Sequence, residues 1–403
     1  MKRTLAWAGL VVAAGVVWSA AASSAGAQER PYITSRTPIT ILSANDGVSH
    51  LRLNAQLQRD TENVTRDSIT VIHLGPDHPP IVKTVYETVP NTIGGSPYMA
   101  MTGDGLYGFV TGRGAEAETE GVNGRISVID MASAELEVVQ KIPIPNPSMA
   151  LAHPDGRRII IPYAEGFRVY EMRDGRCELV RDNQVGRSPG SIDINRAGDR
   201  IIATGGGSGG GRGMHVFSYR DGEIAHMAEV GVKEGLPRFR SPFSQRFTPD
   251  GRRVLVGNGG GSGTKGTLDD LLIIDMTLEP PMVTGVVPQV GDGVESLAIH
   301  PSGRFAALGI LEETRINAHL TYSHLTVVDL ESETPHILYQ ITIEAIPEGI
   351  EFTPDGTQLY VGLTAANHIA VFDVEGKILK KHPFVIRVGH APSSMALGPR
   401  FRR

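Results

Sequence analysis

Two arginines, three acidic residues and a histidine stand at matching places in this 403-residue chain. Counted back from the glycines at 198, 251 and 303, the eleventh residue is Arg187, Arg240 and Asp292. The eighth residue before Gly303 and Gly356 is Glu295 and Glu348, and His390 joins the set when Pro392 is aligned with Pro189, Pro242 and Pro347. Asn258 and Glu312 lie nearby in sequence, in loops that follow the same turns. The planar fork of arginine suits a carboxylate or an oxyanion. A histidine beside acidic groups titrates near neutral pH and can move a proton, and a carboxylate can activate water. Together these residue types would make a polar pocket for an anionic or polyhydroxylated small molecule, with Arg187, Arg240, Asp292, Asn258 and Glu312 holding it. His390, Glu295 and Glu348 would carry any chemistry. The residues name no cofactor, and a divalent metal among the carboxylates at the mouth is one that such a set can hold. The competing reading is a rim of solvated charges that pair with one another, which is common on surfaces and worth little.

Other chemical motifs fail on context. Gly205 to Gly210, "GGGSGG", satisfies G-x-G-x-x-G, but a dinucleotide loop needs a helix directly after it to present its amides. The segment that follows, "MHVFSY", reads as a strand. "GRSPG" at Gly186 to Gly190 matches the nucleophile elbow, yet Pro189 leads into the strand-like "SIDINRAG" rather than a helix, so Ser188 is not expected to be a nucleophile. His153 and His300 align with Thr248 and Thr353 at the start of a turn and are read as turn residues. Neither His73 with His78 nor His319 with His324 has a recognised metal-ligand spacing.

What must position these side chains is a repeat. "RFTPDGRRVLVGNGGG", "EFTPDGTQLYVGL", "AIHPSGRFAALGI", "LAHPDGRRIIIPY", "DINRAGDRIIATG" and "AMTGDGLYGFVTG" share one layout: an apolar strand, a turn ending in glycine, and a second apolar strand. Their turn glycines, Gly105, Gly156, Gly198, Gly251, Gly303 and Gly356, are separated by 51, 42, 53, 52 and 53 residues. A third strand follows in each unit, as in "RISVID", "LLIIDM" and "IAVFDV", and then a weaker edge segment. Four antiparallel strands per unit make a propeller blade. Six units are complete. The N-terminal strands "PITILSA", "SITVIHL" and "PIVKTVYETV" lack an inner strand that the C-terminal "GHAPSSMALGP" can supply, which closes a ring of seven blades and removes its sheet edges. The proline nine residues before the turn glycine shapes the start of each innermost strand, so the charged residues beside it should stand at the mouth of the central channel. The polar stretch from Asn45 to Asp67 is expected to be an extended loop over that channel.

These repeats, above all "PEGIEFTPDGTQLYVGLTAANHIAVFDV" and "VESLAIHPSGRFAALGI", resemble those of the lactonase-like and YVTN-type seven-bladed propellers. The resemblance covers residues 28 to 403 and implies an all-β, seven-bladed fold. For activity it implies hydrolysis of a lactone or related ester, with Arg187 and Arg240 holding the oxyanion. The matching residues build blades rather than chemistry, and one scaffold carries many functions. A non-catalytic propeller binding an envelope protein or ligand, or one standing beside a redox enzyme, fits the same repeats; the last lacks any C-x-x-C-H.

Residues 1 to 27 read as a secretory signal: Lys2 and Arg3, an apolar run from Leu5 to about Val17, then Ala25-Gly26-Ala27. This predicts a periplasmic or secreted protein with no membrane span after signal removal. The single cysteine, Cys177, cannot pair within the chain and is expected to be a small core hydrophobe. A net charge of −6 with no basic run beyond the signal argues against a nucleic-acid partner.

Overall fold

The computed structural model describes residues 31–49, 65–89, 99–114, 117–205, 213–259, 267–312, 322–344 and 346–399. Residues 1–27, read from the sequence as a secretory signal, lie outside them. So do Gly94, Pro97, His319, Ala345, the glycine-rich loops 206–212 and 260–266, and residues 50–64 of the proposed channel cover.

The alternation of short Val- and Ile-rich runs with glycine turns becomes seven antiparallel sheets. Blade 1 is Ile39–Asn45, Ser68–Leu74 and Ile81–Tyr86, with Pro392–Pro399 as its innermost strand. Blades 2 to 7 then follow in chain order, with innermost strands Met99–Met101, Leu151–Ala152, Ile192–Ile194, Pro242–Phe247, Val294–Ile299 and Pro347–Phe352. The ring closes as the sequence predicts: Ile39 pairs with Pro399, Ile41 with Leu397 and Ala44 with Ser394. Blade 5 adds a short parallel strand, Gly231–Val232, against Met282 and Val283. Among the described residues no α-helix is present, and no helix is long and apolar enough to cross a membrane.

The core lies between blades rather than within them. Leu42 and Val71 of blade 1 pack with Val110 and Ile129 of blade 2, while Ile41 and Ile72 on the other face meet Tyr360 and Val371 of blade 7. That is why the inner strands are apolar on both faces, and each such side chain contributes about 1.5–3 kcal/mol on burial. Outer strands have one neighbour fewer, and Ile81–Tyr86 accordingly alternates exposed and half-buried positions. Cys177 is a core residue of this kind, 6% exposed, its thiol pushed up to about 12 by burial.

Each glycine turn is held by the side chain three residues before the glycine. Thr248 donates to Asp250 Oδ1 at 2.6 Å and accepts from Arg253 N at 3.1 Å, bracketing Gly251 at φ +69°. His153 and His300 fill the same place, as expected of turn residues. Their Nε2 atoms donate to the carbonyls of Gly198 and Gly356 in the next blade, at 2.9 and 3.0 Å.

Candidate functional site

In an antiparallel blade the second strand ends where the innermost begins: Pro242 pairs with Asn258, and Pro347 with Leu363. The residues before each innermost strand and the loop after each second strand therefore share one end of the ring, the channel mouth. The segments that follow the two glycine-rich stretches are the strands Met214–Arg220 and Asp269–Asp275, not the helix that a phosphate loop requires. Ser188 likewise precedes a strand, Ile192–Ile194.

Blades 5 and 6 gather four of the eight expected residues. The backbone N–H of Arg240 donates to Asn258 Oδ1 at 2.8 Å and its Nη2 donates to Asn258 O at 3.3 Å, while Asn258 Nδ2 donates to Arg238 O at 3.1 Å. Asn258 is fully buried, so its amide fixes the approach of the chain to the mouth, whereas the Arg240 side chain is 51% exposed. Its guanidinium stands 3.9 Å from Asp269 and 3.7 Å from Asp270. Asp269 Oδ2 accepts the Gly293 N–H at 3.0 Å, and the next carboxylate along, Asp292, is buried. Burial pushes the Asp269 carboxyl up, and the nearby Asp292 adds to this against the backbone N–H bonds and Arg240. The Asp292 carbonyl accepts from Glu312 N at 3.0 Å, and the Glu312 carboxylate lies 3.4 Å from His324 Nδ1. Among the described residues the result is an acidic rim that carries the half-exposed Arg240.

The other four stand before or at the starts of the innermost strands of blades 4, 6, 7 and 1. Arg187 turns toward the third strand of blade 4, with Nη1 2.9 Å from His215 Nε2, and His215 Nδ1 is 3.2 Å from His226 Nε2. Burial first, then the positive charge of Arg187, lowers the His215 pKa, against the pull of Glu229. Glu295 and Glu348 begin the innermost strands of neighbouring blades and are both fully buried. His390 is exposed just before the closing strand; the next residue, Ala391, has φ +54° and donates its N–H to Asn367 Oδ1 at 2.8 Å. His73 and His78 serve locally, against Thr40 and the Pro79 carbonyl. Among the described residues no group of three or more His, Cys, Asp or Glu side chains is gathered to hold a metal ion.

Sequence reading missed a second polar group, deeper in the channel. Five residues before each turn glycine stand Ala100, Leu151, Asp193, Arg246, Ala298 and Glu351, with Ala396 at the equivalent place on the closing strand. The Arg246 guanidinium of blade 5 lies 3.5 Å from Glu351 of blade 7, passing the small Ala298 of blade 6. Asp193 of blade 4 accepts the Phe247 N–H at 2.7 Å. Burial pushes both carboxyls up against the pull of Arg246, and the charge of Asp193 raises Glu351 further. The signal was present in the repeat: three charged residues at a position otherwise held by alanine or leucine. Arg240 and Arg246 are six residues apart, about 20 Å of extended chain, so the triad lies well below the rim.

No known family profile matches the chain, and no curated protein does. Solved structures do. A periplasmic gluconolactonase from Pseudomonas aeruginosa is 15% identical, with a TM-score of 0.61 over 90% of this chain and 99% of that one. A proposed 6-phosphogluconolactonase from Bacteroides fragilis is 12% identical, with a TM-score of 0.60 over 91% and 99%. Hydrazine synthase from Kuenenia stuttgartiensis is 14% identical, with a TM-score of 0.57 over 76% and 91%. Identities this low establish the shared propeller fold and nothing about chemistry, and the three proteins themselves differ in what they do.

Proposed function

We propose that this protein is an exported, lactonase-like propeller that binds a small anionic or polyhydroxylated ligand at the channel mouth and hydrolyses a lactone or ester there. The observation that carries the reading is the rim of blades 5 and 6, where a half-exposed Arg240 is steered by a buried Asn258 above the carboxylates Asp269, Asp270 and Asp292. A scaffold has no need of that arrangement, because exposed ion pairs contribute little stability. A gluconolactonase found in the periplasm shares the propeller fold, which is compatible with this reaction class and with the export that the leading segment implies.

In this reading the substrate carbonyl faces Arg240, whose approach Asn258 fixes from below, and Asp292 and Glu312 hold its hydroxyls. Arg187 is a second cation for the ligand, on the blade 4 side. His390 takes a proton from a water molecule, whose oxygen attacks the carbonyl carbon. Negative charge gathers on the carbonyl oxygen and is stabilised by the guanidinium. The ring C–O bond then breaks, the departing alkoxide takes the proton back from His390, and a hydroxy acid leaves. Glu295 and Glu348, at the starts of the neighbouring innermost strands, are the carboxylates assigned to this step beside His390.

The test is hydrolysis of a panel of lactones and aryl esters by the chain lacking residues 1–27, beside Arg240→Ala and His390→Ala. Turnover reduced about a hundredfold in either variant supports the proposal, as expected for loss of a charge-stabilising donor or a general base. Absence of turnover from folded protein would favour a binding role instead.

A further inference from the structure

Arg187 holds the same place before blade 4 that Arg240 holds before blade 5, and it is exposed. Its guanidinium nevertheless turns outward to the third strand of its blade. Nη1 lies 2.9 Å from Nε2 and 3.4 Å from Nδ1 of His215. Contact with both nitrogens of one ring sets the cation against the imidazole itself rather than at the end of a single lone pair, in the way that planar guanidinium groups rest on flat rings. The ring beneath it is buried, 6% exposed, and a glycine makes room for it: a methyl group on Gly205 would stand 2.8 Å from His215 Nε2.

Few charges surround this ring. On the second strand it is paired with Ala203, which has none. On the fourth strand the exposed His226 places Nε2 3.2 Å from His215 Nδ1, and Glu229 stands opposite His215 in register. Glu229 Oε1 and His215 Nε2 flank one backbone position, 3.1 and 3.9 Å from where a methyl group on Gly213 would lie. Blade 3 meets the same strand with an uncharged ring, Phe167 against Phe217 at 5.0 Å. At the far end of the fourth strand Glu223 pairs with Arg181 of blade 3 at 3.4 Å.

A guanidinium is charged at every working pH, whereas an imidazole is charged only when it binds a second proton. The neutral ring accepts the cation. The protonated ring sets two positive charges in contact where little water screens them, and Glu229 then offers the imidazolium an acceptor of its own.

We propose that His215 is a pH-sensitive latch, whose neutral ring holds Arg187 back from the channel mouth and whose protonated ring frees it to meet a ligand there. The latch itself is independent of the proposed hydrolysis; only the use made of the freed arginine rests on that reading. Burial and the Arg187 charge lower the His215 pKa, so the latch stays closed through neutral pH and opens as pH falls through the native value.

Nuclear magnetic resonance of the chain lacking residues 1–27 tests the latch without a ligand. Nitrogen-15 relaxation of Arg187 Nε should report an ordered side chain at about pH 7.5 and a mobile one at about pH 5, the change following the titration of the His215 ring. His215→Gln keeps an acceptor and cannot charge, so Arg187 should stay ordered at both. Calorimetric titration with D-gluconate, a polyhydroxylated carboxylate, reads what the freed arginine does. Affinity should be at least about tenfold higher at the lower pH, the scale of one charge-assisted contact, and the gain should shrink to about twofold in His215→Gln, which retains every other titrating group of the mouth. Equal Arg187 mobility at the two pH values, or the same change in His215→Gln, would overturn the latch. Should Arg187 move as expected while gluconate fails to bind, or binds with no dependence on His215, the ligand role of Arg187 at the mouth fails and the latch stands.

Discussion

At the channel mouth the half-exposed guanidinium of Arg240 faces several acidic groups, and Asp269 shows what such crowding does. Its carboxyl is pushed up by burial and by Asp292, so the site resists further negative charge except where Arg240 offsets it. Replacing Arg240 should therefore cost function far more than stability: Arg240→Ala should lower kcat/KM about a hundredfold while moving the melting temperature by no more than about a degree, since exposed ion pairs contribute roughly 0–1 kcal/mol. The deeper triad makes the opposite prediction. Glu351 has a pKa above its ordinary 4.5, meaning the folded chain binds its proton more tightly than the unfolded chain does. That contribution is complete below pH 4.5 and lost as pH rises through the native value, so the ionised carboxylate burdens the fold at neutral pH. Glu351→Gln should raise the melting temperature by roughly 1–3 °C at pH 7.5 and leave it unchanged near pH 4, as read from thermal melts at the two values. The rim residues Arg240, Asn258, Asp292 and Glu312 were legible because the repeat fixes their place along the strand. The orientation of Arg187 toward His215 was not, because a repeat gives position and leaves the direction of a long side chain to its neighbours.

At the scale of the element, the turn between the first two strands of each blade is the unit that recurs most faithfully. Its glycine has a positive φ in all six complete repeats, and in two of them it also lies beneath a histidine of the preceding blade. A methyl group on Gly198 would stand 2.6 Å from His153 Nε2 on a backbone already at φ +76°. Gly198→Ala should therefore destabilise the protein by about 1–3 kcal/mol in denaturant titration, combining backbone strain with displacement of the histidine. Gly198→Ala with His153→Ala should recover the part due to the clash and none of that due to φ. These turns were legible since Asp-Gly and its relatives specify them locally. Strand lengths were less so: the innermost strand of blade 3 has only two residues, Leu151–Ala152, and blade 5 gains Gly231–Val232 from a connection that carries no repeat signature. Pairing of that kind depends on what lies alongside, which local pattern does not encode.

Over the whole molecule, seven blades bury their faces only if the ring closes, and closure rests on one strand contributed by the far end of the chain. Without Pro392–Pro399, the paired edge of Ile39–Asn45 would be exposed, along with the cluster that Met395 shares with Ile41 and Tyr360. A chain ending at residue 388 should melt at least about 10 °C lower, or aggregate through the open edge, as gel filtration and circular dichroism would reveal. This closure was the most legible feature of all, since an N-terminal unit lacking a strand and a C-terminal strand lacking a unit have one mutual solution. Function was less legible for a reason built into the architecture: the residues that repeat are those that make blades, and the residues that differ between blades carry the chemistry. The claim that joins these scales is that the channel mouth performs hydrolysis, and lactone turnover by wild-type protein beside Arg240→Ala and His390→Ala tests it most directly. Turnover that falls about a hundredfold in either variant, with the fold intact, is the expected result. Equal turnover in all three proteins would contradict a catalytic mouth, and no turnover from any of them would contradict the hydrolase reading itself.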